Sequence, residues 1–236
     1  MIRAHIATYP PRLQMLEQAL ASIAPQVDQV FLCLNEFAEI PAFLTAFKTV
    51  TPWIPDQDLK DVGKFAVEVA TDDLVVMADD DLLYLPTHVT TLRRIGEDLD
   101  LDRVVVGLHG TIYHPDQGPL IRSRTTYQCD EALAASTRVH QLGTGTVLAL
   151  GRNVAPFDFM MGSQKFVDVR YARWLHQKGL HSWAIQRPEG FVRKIEPPGG
   201  KVETIFKTFT RHSPDHVLQE IRQFAQALPP TPGTPA

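Results

Sequence analysis

Short apolar runs alternate with amphipathic stretches through the first half of the chain. This pattern predicts the order β-α-β-α, which is typical of an α/β fold: a mainly parallel sheet with helices on its faces. The predicted strands are residues 2–8, 30–34, 74–78, a run from 103, 146–150 and 182–186. The predicted helices are residues 13–23, 42–47, a brief one near 64, 86–99, 164–178 and 214–228.

A single domain is predicted for residues 1–228, because no internal repeat or break in composition marks a linker. The two prolines of TPWIPDQD interrupt the alternation, so no strand is predicted there. The part after residue 110 is less regular and contains a polar loop around residues 115–119. Residues 229–236 are rich in proline and are predicted to be disordered.

Composition narrows the class of protein. Of 236 residues, 44% are hydrophobic, which is enough for a substantial core, and the formal net charge is −4 with scattered basic residues, which gives no support for nucleic-acid binding. Cys33 and Cys129 are far apart and form no CxxC pair, so neither a disulfide framework nor a cysteine-built zinc site is predicted. No apolar run reaches the ~18 residues of a membrane span, and the N-terminal segment lacks the apolar core of a signal peptide. The expected location is the cytoplasm, either free or peripheral at the inner membrane face.

The segment LVVMADDDLLYLP, residues 74–86, places three aspartates directly after a predicted strand. Side chains alternate in extended backbone, so Asp79 and Asp81 are predicted to share one side while Asp80 faces the other. Ligands of open parallel sheets bind beyond the carboxyl ends of the strands. A divalent cation that prefers oxygen, Mn²⁺ or Mg²⁺, would offset the repulsion among these carboxylates. The alternative is a solvated turn whose acids precede a helix.

ADDDLLYLP resembles the DXD region of GT-A fold glycosyltransferases, specifically the inverting family 2 group, bacterial members of which make polysaccharides and glycoconjugates. Other segments resemble successive landmarks of that group, in the same order: IATYPPR, SIAPQVDQVFLCLNEF, DVGKF, LGTGTVLAL and FVDVRYARWLHQKGL. The resemblance covers roughly residues 2–190. It implies a Rossmann-like GT-A fold, with a nucleotide-sugar half at about residues 1–110 and an acceptor and catalytic half at residues 111–228.

The resemblance also implies the substrates and the residues that bind the donor. The donor would be a nucleoside-diphosphate sugar, with a UDP-sugar favoured, and the acceptor a hydroxyl of a glycan or glycoconjugate. The implied donor-binding residues are Thr8, Tyr9, Arg12, Asn35, Asp61, Lys64, Asp79 and Asp80. Taken alone, Arg12 also fits a solvated helix start, Asn35 a turn, and Asp61 and Lys64 the beginning of a helix.

The metal ligands and the base follow from the same resemblance. Asp81 is the counterpart of the family's last aspartate, which binds Mn²⁺ or Mg²⁺; Asp79 would join the metal shell, and His212 is a further candidate ligand that also fits a solvated loop. Asp168, near the start of the helix after LGTGTVLAL, would be the base that deprotonates the acceptor hydroxyl. Many relatives carry an acidic pair there, whereas this chain has Val167 before the aspartate. Asp168 also fits a favourable helix-start charge, with Ser163 as the predicted cap.

Two other functions remain open at this level. A sugar-nucleotide nucleotidyltransferase shares the alternating sheet and metal-binding carboxylates, but it normally opens with a glycine-rich, basic signature after the first strand, which TYPPR does not supply. A catalytically silent GT-A-like module that binds a nucleotide sugar or a glycan would account for the missing acidic pair. The oligomeric state is not specified by the sequence.

Overall fold

The computed structural model describes residues 1–114, 123–197, 199 and 214–225. The strands are β1 Ile2–Thr8, β2 Gln29–Leu34, β3 Val50–Trp53, β4 Leu74–Ala78, β5 Leu82–Tyr84, β6 Val104–Gly107, β7 Gly110–Tyr113, β8 Arg124–Tyr127, β9 Thr137–Val139, β10 Gln141–Leu142, β11 Thr146–Leu150, β12 His181–Ala184 and β13 Val192–Lys194. The α-helices are α1 Leu13–Ile23, α2 His88–Asp98, α3 Phe157–Met160, α4 Val167–Gln177 and α5 Asp215–Ile221. Short 3-10 helices are formed by Pro10–Arg12, Ala24–Gln26, Ala42–Ala46, Lys60–Phe65 and Gly151–Asn153.

An eight-stranded sheet with the order β3-β2-β1-β4-β11-β6-β12-β9 occupies the centre of the molecule. The first four of these strands run parallel to one another, and β6 and β12 form a second parallel pair. β11 lies between β4 and β6 and is antiparallel to both, and β9 is antiparallel to β12. The predicted α/β fold with a mainly parallel sheet is therefore confirmed.

Apolar side chains cover both faces of this sheet. On one face, Leu16 and Leu20 of α1 and Leu92 of α2 pack against the strands. On the other, Tyr171 and Leu175 of α4 pack against strand residues that are themselves fully buried. Central parallel strands that are buried on both faces read as continuous apolar runs, which explains why LVVMA and VVVG were visible as strands in the sequence.

Several predicted elements have the predicted bounds, and others do not. β1, α1, β4 and β11 match residue for residue. The prediction that TPWIPDQD contains no strand is wrong, because Val50–Trp53 forms β3. Pro52 has no N–H to donate to a neighbouring strand. It is tolerated there because β3 is an edge strand of the sheet, which has a partner strand on one side only. The short strands β5, β7–β10 and β13 were not predicted.

The helix that carries Asp168 begins at Val167 rather than at residue 164. Ser163 is not its cap, because the Ser163 hydroxyl donates to the carbonyl of Met160, 2.5 Å away. α5 is shorter than predicted, and the polar loop at residues 115–119 lies outside the described residues. No helix in the described part of the chain is both long and apolar enough to cross a membrane.

Two small sheets stand beside the carboxyl ends of β1, β2 and β4. One is formed by β10, β7 and β8, and the other by β13 and β5. Together with α4 and α5 they turn the open edge of the central sheet into one side of a deep cleft.

Candidate active site

The cleft at the carboxyl edge of the sheet has a volume of about 1040 Å³. Three strand ends contribute to it: Thr8 ends β1, Asn35 follows β2 and Asp79 follows β4. β11 enters from the opposite direction, and its first residue, Thr146, pairs with Ala78. The loop before β11 therefore lies opposite the aspartate run.

The three aspartates divide between the cleft and the interior. Asp79 and Asp81 line the cleft, with 40% and 34% of their side chains exposed, whereas Asp80 is 2% exposed and lies behind the wall. Arg12 joins them, since its Nη1 lies 2.6 Å from Asp80 Oδ1 and 3.1 Å from Asp81 Oδ2. Asp80 therefore pairs with Arg12 from the interior side of the cleft wall. Because Asp80 does not line the cleft, it is not positioned for the direct contact with the donor that was expected from the sequence.

Lys64 is the second cation of the site. Its ammonium group forms an ion pair with Asp79 Oδ1 and donates to the carbonyl of Thr144 at 3.2 Å. The lysine is only 3% exposed, which is rare for this residue type unless it is paired. The 3-10 helix Lys60–Phe65 positions it, and the ring Nδ1 of buried His5 lies 2.7 Å from the Lys64 carbonyl.

Tyr84 and Gly145 hold Asp79 from two other sides. The Tyr84 hydroxyl accepts from the Asp79 N–H at 2.7 Å and donates to the Gly145 carbonyl at 2.8 Å. A Cβ at Gly145 would lie 1.9 Å from Asp79 Oδ2, so only glycine permits this approach. Tyr84 was missed at the sequence level, because one tyrosine in an apolar run carries no signal of a polar role.

Asp168 reaches the same cleft from the first turn of α4. Its Oδ1 accepts two hydrogen bonds from Thr144, one from the backbone N–H and one from the hydroxyl, each 2.8 Å long. Within the described residues, Asp168 Oδ2 has no hydrogen-bond partner. One oxygen is therefore fixed, and the other is available to a ligand.

Asp61 and Asn35 also line the cleft, and both side chains form hydrogen bonds with the backbone of the protein. Asp61 Oδ1 accepts from the backbone N–H of Lys165 at 2.8 Å. Asn35 donates to the Lys60 carbonyl at 3.0 Å and accepts from the Leu59 N–H at 2.9 Å. Asn35 therefore shapes the loop before Asp61 and leaves little of its side-chain amide for a donor.

Several residues of the cleft wall have a strained backbone conformation. Four described non-glycine residues have positive φ, and three of them line the cleft: Glu36 at 61°, Lys60 at 50° and Lys165 at 76°. Such conformations cost about 1–3 kcal/mol each and persist only when the surroundings enforce them. The wall near Asp61 is therefore held in an unfavourable backbone shape by the packing around it.

Burial and charge separate the pKa values of the carboxylates. Burial would raise the pKa of Asp79, but the charges of Lys64 and Arg12 outweigh it and hold that pKa below its ordinary value. Burial and the neighbouring Asp79 charge raise the pKa of Asp81 to about 6. Burial also raises the pKa of Asp61 to about 6, and the charge of Asp168 acts in the same direction. Groups with separated pKa values in one cleft are a feature of acid–base sites.

Two of the three aspartates, Asp79 and Asp81, are suited to bind a divalent cation. Asp79 and Asp81 each leave one carboxylate oxygen without a hydrogen bond to any described residue, and both side chains reach the cleft. No cluster of three acidic, histidine or cysteine ligands exists within the described residues. His212 lies outside those residues, so its proposed ligand role rests on the sequence alone. Two carboxylates completed by substrate oxygens are a usual arrangement for Mg²⁺ or Mn²⁺.

The far wall of the cleft is polar and was not predicted. Thr111 on β7, Thr126 on β8 and Gln141 on β10 face the cleft, and the strand register places Thr111 directly between the other two. Tyr113 lies beyond Thr111 and donates from its hydroxyl to Gln141 at 2.7 Å. His109, also on this wall, has a pKa lowered by burial. The strands concerned have four residues or fewer, too short for their alternation to be visible in the sequence.

Most of the residues expected from the sequence lie around this one cleft. Those that line it are Thr8, Tyr9, Arg12, Asn35, Asp61, Lys64, Asp79, Asp81 and Asp168. They come from segments up to 160 positions apart in the chain, so the fold brings them together, although their roles remain predictions.

Comparison with known proteins supports the fold and no closer assignment. The chain matches no protein-family model and no curated protein sequence. Among solved structures it is similar to a nucleotidyl transferase from Methanothermobacter thermautotrophicus, Mth528, with a TM-score of 0.52, 14% identity and coverage of 80% of this chain and 88% of that one. It is also similar to S. aureus TarS, residues 1–349, with a TM-score of 0.52, 10% identity and coverage of 94% and 70%. These similarities agree with a Rossmann-like GT-A fold, without singling out family 2.

Proposed function

We propose that the protein is a metal-dependent inverting glycosyltransferase that transfers a sugar from a nucleoside-diphosphate sugar, with a UDP-sugar favoured, to a hydroxyl of a glycan or glycoconjugate. The observation that carries the proposal is the position of Asp168 in the same cleft as Asp79 and Asp81, with one oxygen fixed by Thr144 and the other open. A carboxylate held in this way, in the same cleft as the carboxylates proposed to bind the metal, is suited to act as the base in a single-step displacement. The proposed setting is the cytoplasm, either free or at the inner membrane face.

Each part of the reaction has a residue suited to it. Arg12 and Lys64 are cations beside the position proposed for the diphosphate, and their charges would stabilise the negative charge that develops there. Mn²⁺ or Mg²⁺, when bound through Asp79 and Asp81, would supply Lewis-acid stabilisation of the leaving diphosphate. Asp168 Oδ2 would take the proton from the acceptor hydroxyl as that oxygen attacks the anomeric carbon.

The polar far wall suits a sugar acceptor. Thr111, Thr126 and Gln141 present hydroxyl and amide groups, which can both donate and accept hydrogen bonds as sugar hydroxyls do. This wall is reached by the same cleft that contains Asp168. An acceptor lying on it would have a hydroxyl within reach of the open carboxylate oxygen.

A nucleotidyl transferase is the second candidate, and one specific observation favours it. Mth528 is such an enzyme, and its similarity to this chain extends over 88% of its length, whereas TarS is a GT-A-like glycosyltransferase. The two reactions differ in their products: nucleotidyl transfer from a nucleoside triphosphate to a sugar phosphate releases pyrophosphate, and glycosyl transfer releases a nucleoside diphosphate. A silent binding module would release neither.

The first test is calorimetric binding of UDP, GDP, dTDP and CDP, each with Mn²⁺ and with EDTA, on the wild type and on Asp81→Ala. Metal-dependent binding of one nucleotide, lost in Asp81→Ala, is the expected result. Absence of binding under every condition would contradict a nucleotide-sugar enzyme of either kind.

The second step separates the candidates with the nucleotide thus identified. Asp168→Asn should bind that nucleotide as the wild type does and should transfer sugar about 10²–10⁴-fold more slowly, the range typical of a lost general base. Pyrophosphate release from a triphosphate and a sugar phosphate by the wild type would instead favour the nucleotidyl transferase.

A further inference from the structure

Two basic side chains of the protein itself neutralise part of the charge of the aspartate run at residues 79–81, termed the aspartate edge. Three carboxylates lie in sequence, and two basic side chains contact them: Arg12 pairs with Asp80 and Asp81, and Lys64 pairs with Asp79. The local formal charge is therefore −3 + 2 = −1 rather than −3. An edge with this charge attracts a free divalent ion much less than three bare aspartates would.

Lys64 occupies a position of the kind that a metal ion would take. Its ammonium contacts two oxygens, the Oδ1 of Asp79 and the carbonyl of Thr144. Carboxylate and carbonyl oxygens are also the ligands that Mg²⁺ and Mn²⁺ prefer. A divalent ion that uses Asp79 therefore competes with the ammonium for the same carboxylate.

The backbone of Lys64 is fixed, whereas its ammonium can move. His5 Nδ1 lies 2.7 Å from the Lys64 carbonyl, and Arg3 donates to the other ring nitrogen at 3.0 Å, so His5 donates from Nδ1. The preceding Gly63 packs so closely on Cys33 that a Cβ would lie 2.5 Å from its sulfur. The four-carbon side chain beyond this anchor lets the ammonium swing within the cleft without moving the backbone.

We propose that Lys64 is a tethered counter-ion of Asp79 that must be displaced before a divalent ion can use that carboxylate. This inference rests on the proposed function only in taking Asp79 as a metal ligand. It makes binding of the metal alone weak. It also frees the ammonium for the diphosphate when metal and nucleotide arrive together.

The test measures Mn²⁺ binding alone, without nucleotide or acceptor. Lys64→Met removes the charge and keeps an unbranched side chain of similar length; Lys60→Met removes one positive charge from the same cleft, where Lys60 is paired with Asp58. Lys64→Met should bind Mn²⁺ at least about 10-fold more tightly than the wild type, and Lys60→Met within about twofold of it. Equal affinities of wild type and Lys64→Met, equal gains in both variants, or no Mn²⁺ binding by Lys64→Met would each overturn the proposal.

A second measurement uses the unaltered protein, in case Lys64→Met does not fold. The ¹⁵N-ammonium resonance of Lys64, assigned with Lys64→Arg, should shift when Mg²⁺ is added, while those of exposed lysines stay in place. Failure of that resonance to respond at saturating Mg²⁺ would overturn the proposal. Nucleotide binding is measured separately, so loss of this proposal would not be confused with loss of the proposed function.

Discussion

At the scale of single residues, Thr144 connects the two ends of the candidate site. Its carbonyl accepts from Lys64, and its N–H and hydroxyl both donate to Asp168. The residue therefore contacts both Lys64, which pairs with Asp79, and the candidate base Asp168. The sequence places Thr144 in the landmark LGTGTVLAL, where its hydroxyl was expected to border the acceptor, but its contacts with both Lys64 and Asp168 become visible only in the structure.

Replacing Thr144 tests whether it positions Asp168. Thr144→Val removes the hydroxyl hydrogen bond and keeps the backbone one, so the carboxylate of Asp168 is less well oriented. We expect kcat to fall about 10–100-fold with the donor KM unchanged.

Thr144→Ser is the matched control, because it retains the hydroxyl. It should restore kcat to near the wild-type value. An equal loss of kcat in the serine and valine variants would indicate that Thr144 serves packing alone.

At the scale of elements, α5 is attached to α4 by a buried charge cluster. Glu220, 9% exposed in its side chain, receives three hydrogen bonds of 2.7–2.9 Å from Arg170, and Arg173 lies 3.5 Å from it. Val217 and Ile221 on the same helix face the cleft and the core. The cluster therefore fixes one wall of the site against the helix that carries Asp168.

Glu220→Gln should loosen this wall. The substitution leaves two largely buried guanidinium groups without a counter-charge, so we expect α5 to lose about 2 kcal/mol of local stability, roughly a 30-fold faster hydrogen exchange of its backbone amides. Glu97→Gln removes the partner of Arg93 in an exposed pair and should change exchange very little. Equal effects of the two variants would contradict a specific role for the buried cluster.

Comparison of the observed helices and strands with the predicted ones shows which of them could be predicted from the sequence. Buried strands such as β4 and β11, and the amphipathic α1, were predicted residue for residue, because each carries a long enough pattern of its own. β5 and β10, with three and two residues, depend on partners distant in the chain and leave no readable period. Most of the candidate site was predicted from motifs, whereas the Lys64–Asp79 and Thr144–Asp168 contacts depend on tertiary packing, and the sequence does not specify them.

At the scale of the whole molecule, acid stability depends on buried histidines. His88 is fully buried, has no hydrogen-bond partner in the described part of the chain and packs between the rings of Tyr84 and Phe191. Burial lowers the pKa of His88 to about 3, and burial likewise lowers that of His5 to about 4. Both side chains are therefore neutral in the folded protein at pH values where they take up protons in the unfolded chain.

The sign of the pH effect follows from these pKa values. These two histidines bind more protons in the unfolded chain than in the folded one below about pH 6.5, so their contribution to stability is complete above that pH and declines as the pH falls towards the folded pKa values. At pH 5, His88 alone should lower the free energy of unfolding by about 2 kcal/mol relative to pH 7.5.

Denaturant unfolding of the wild type and His88→Leu at both pH values checks this expectation. The leucine variant should lose about 2 kcal/mol less between pH 7.5 and pH 5. Identical pH dependence in the two proteins would show that His88 is not the group responsible.

The position of β11 between β4 and β6 affects which parts of the chain can be exchanged between related genes. A strand from the second half of the chain is inserted between β4 and β6, which both come from the first half, and its leading loop supplies the oxygens that face Lys64 and Tyr84. A fragment ending near residue 110 would expose the edges of β4 and β6 and would lack the Thr144 carbonyl that accepts from Lys64. We therefore expect that recombination between related genes does not exchange the first 110 residues as an independent unit, and that changes on the two sides of the cleft evolve together within one chain.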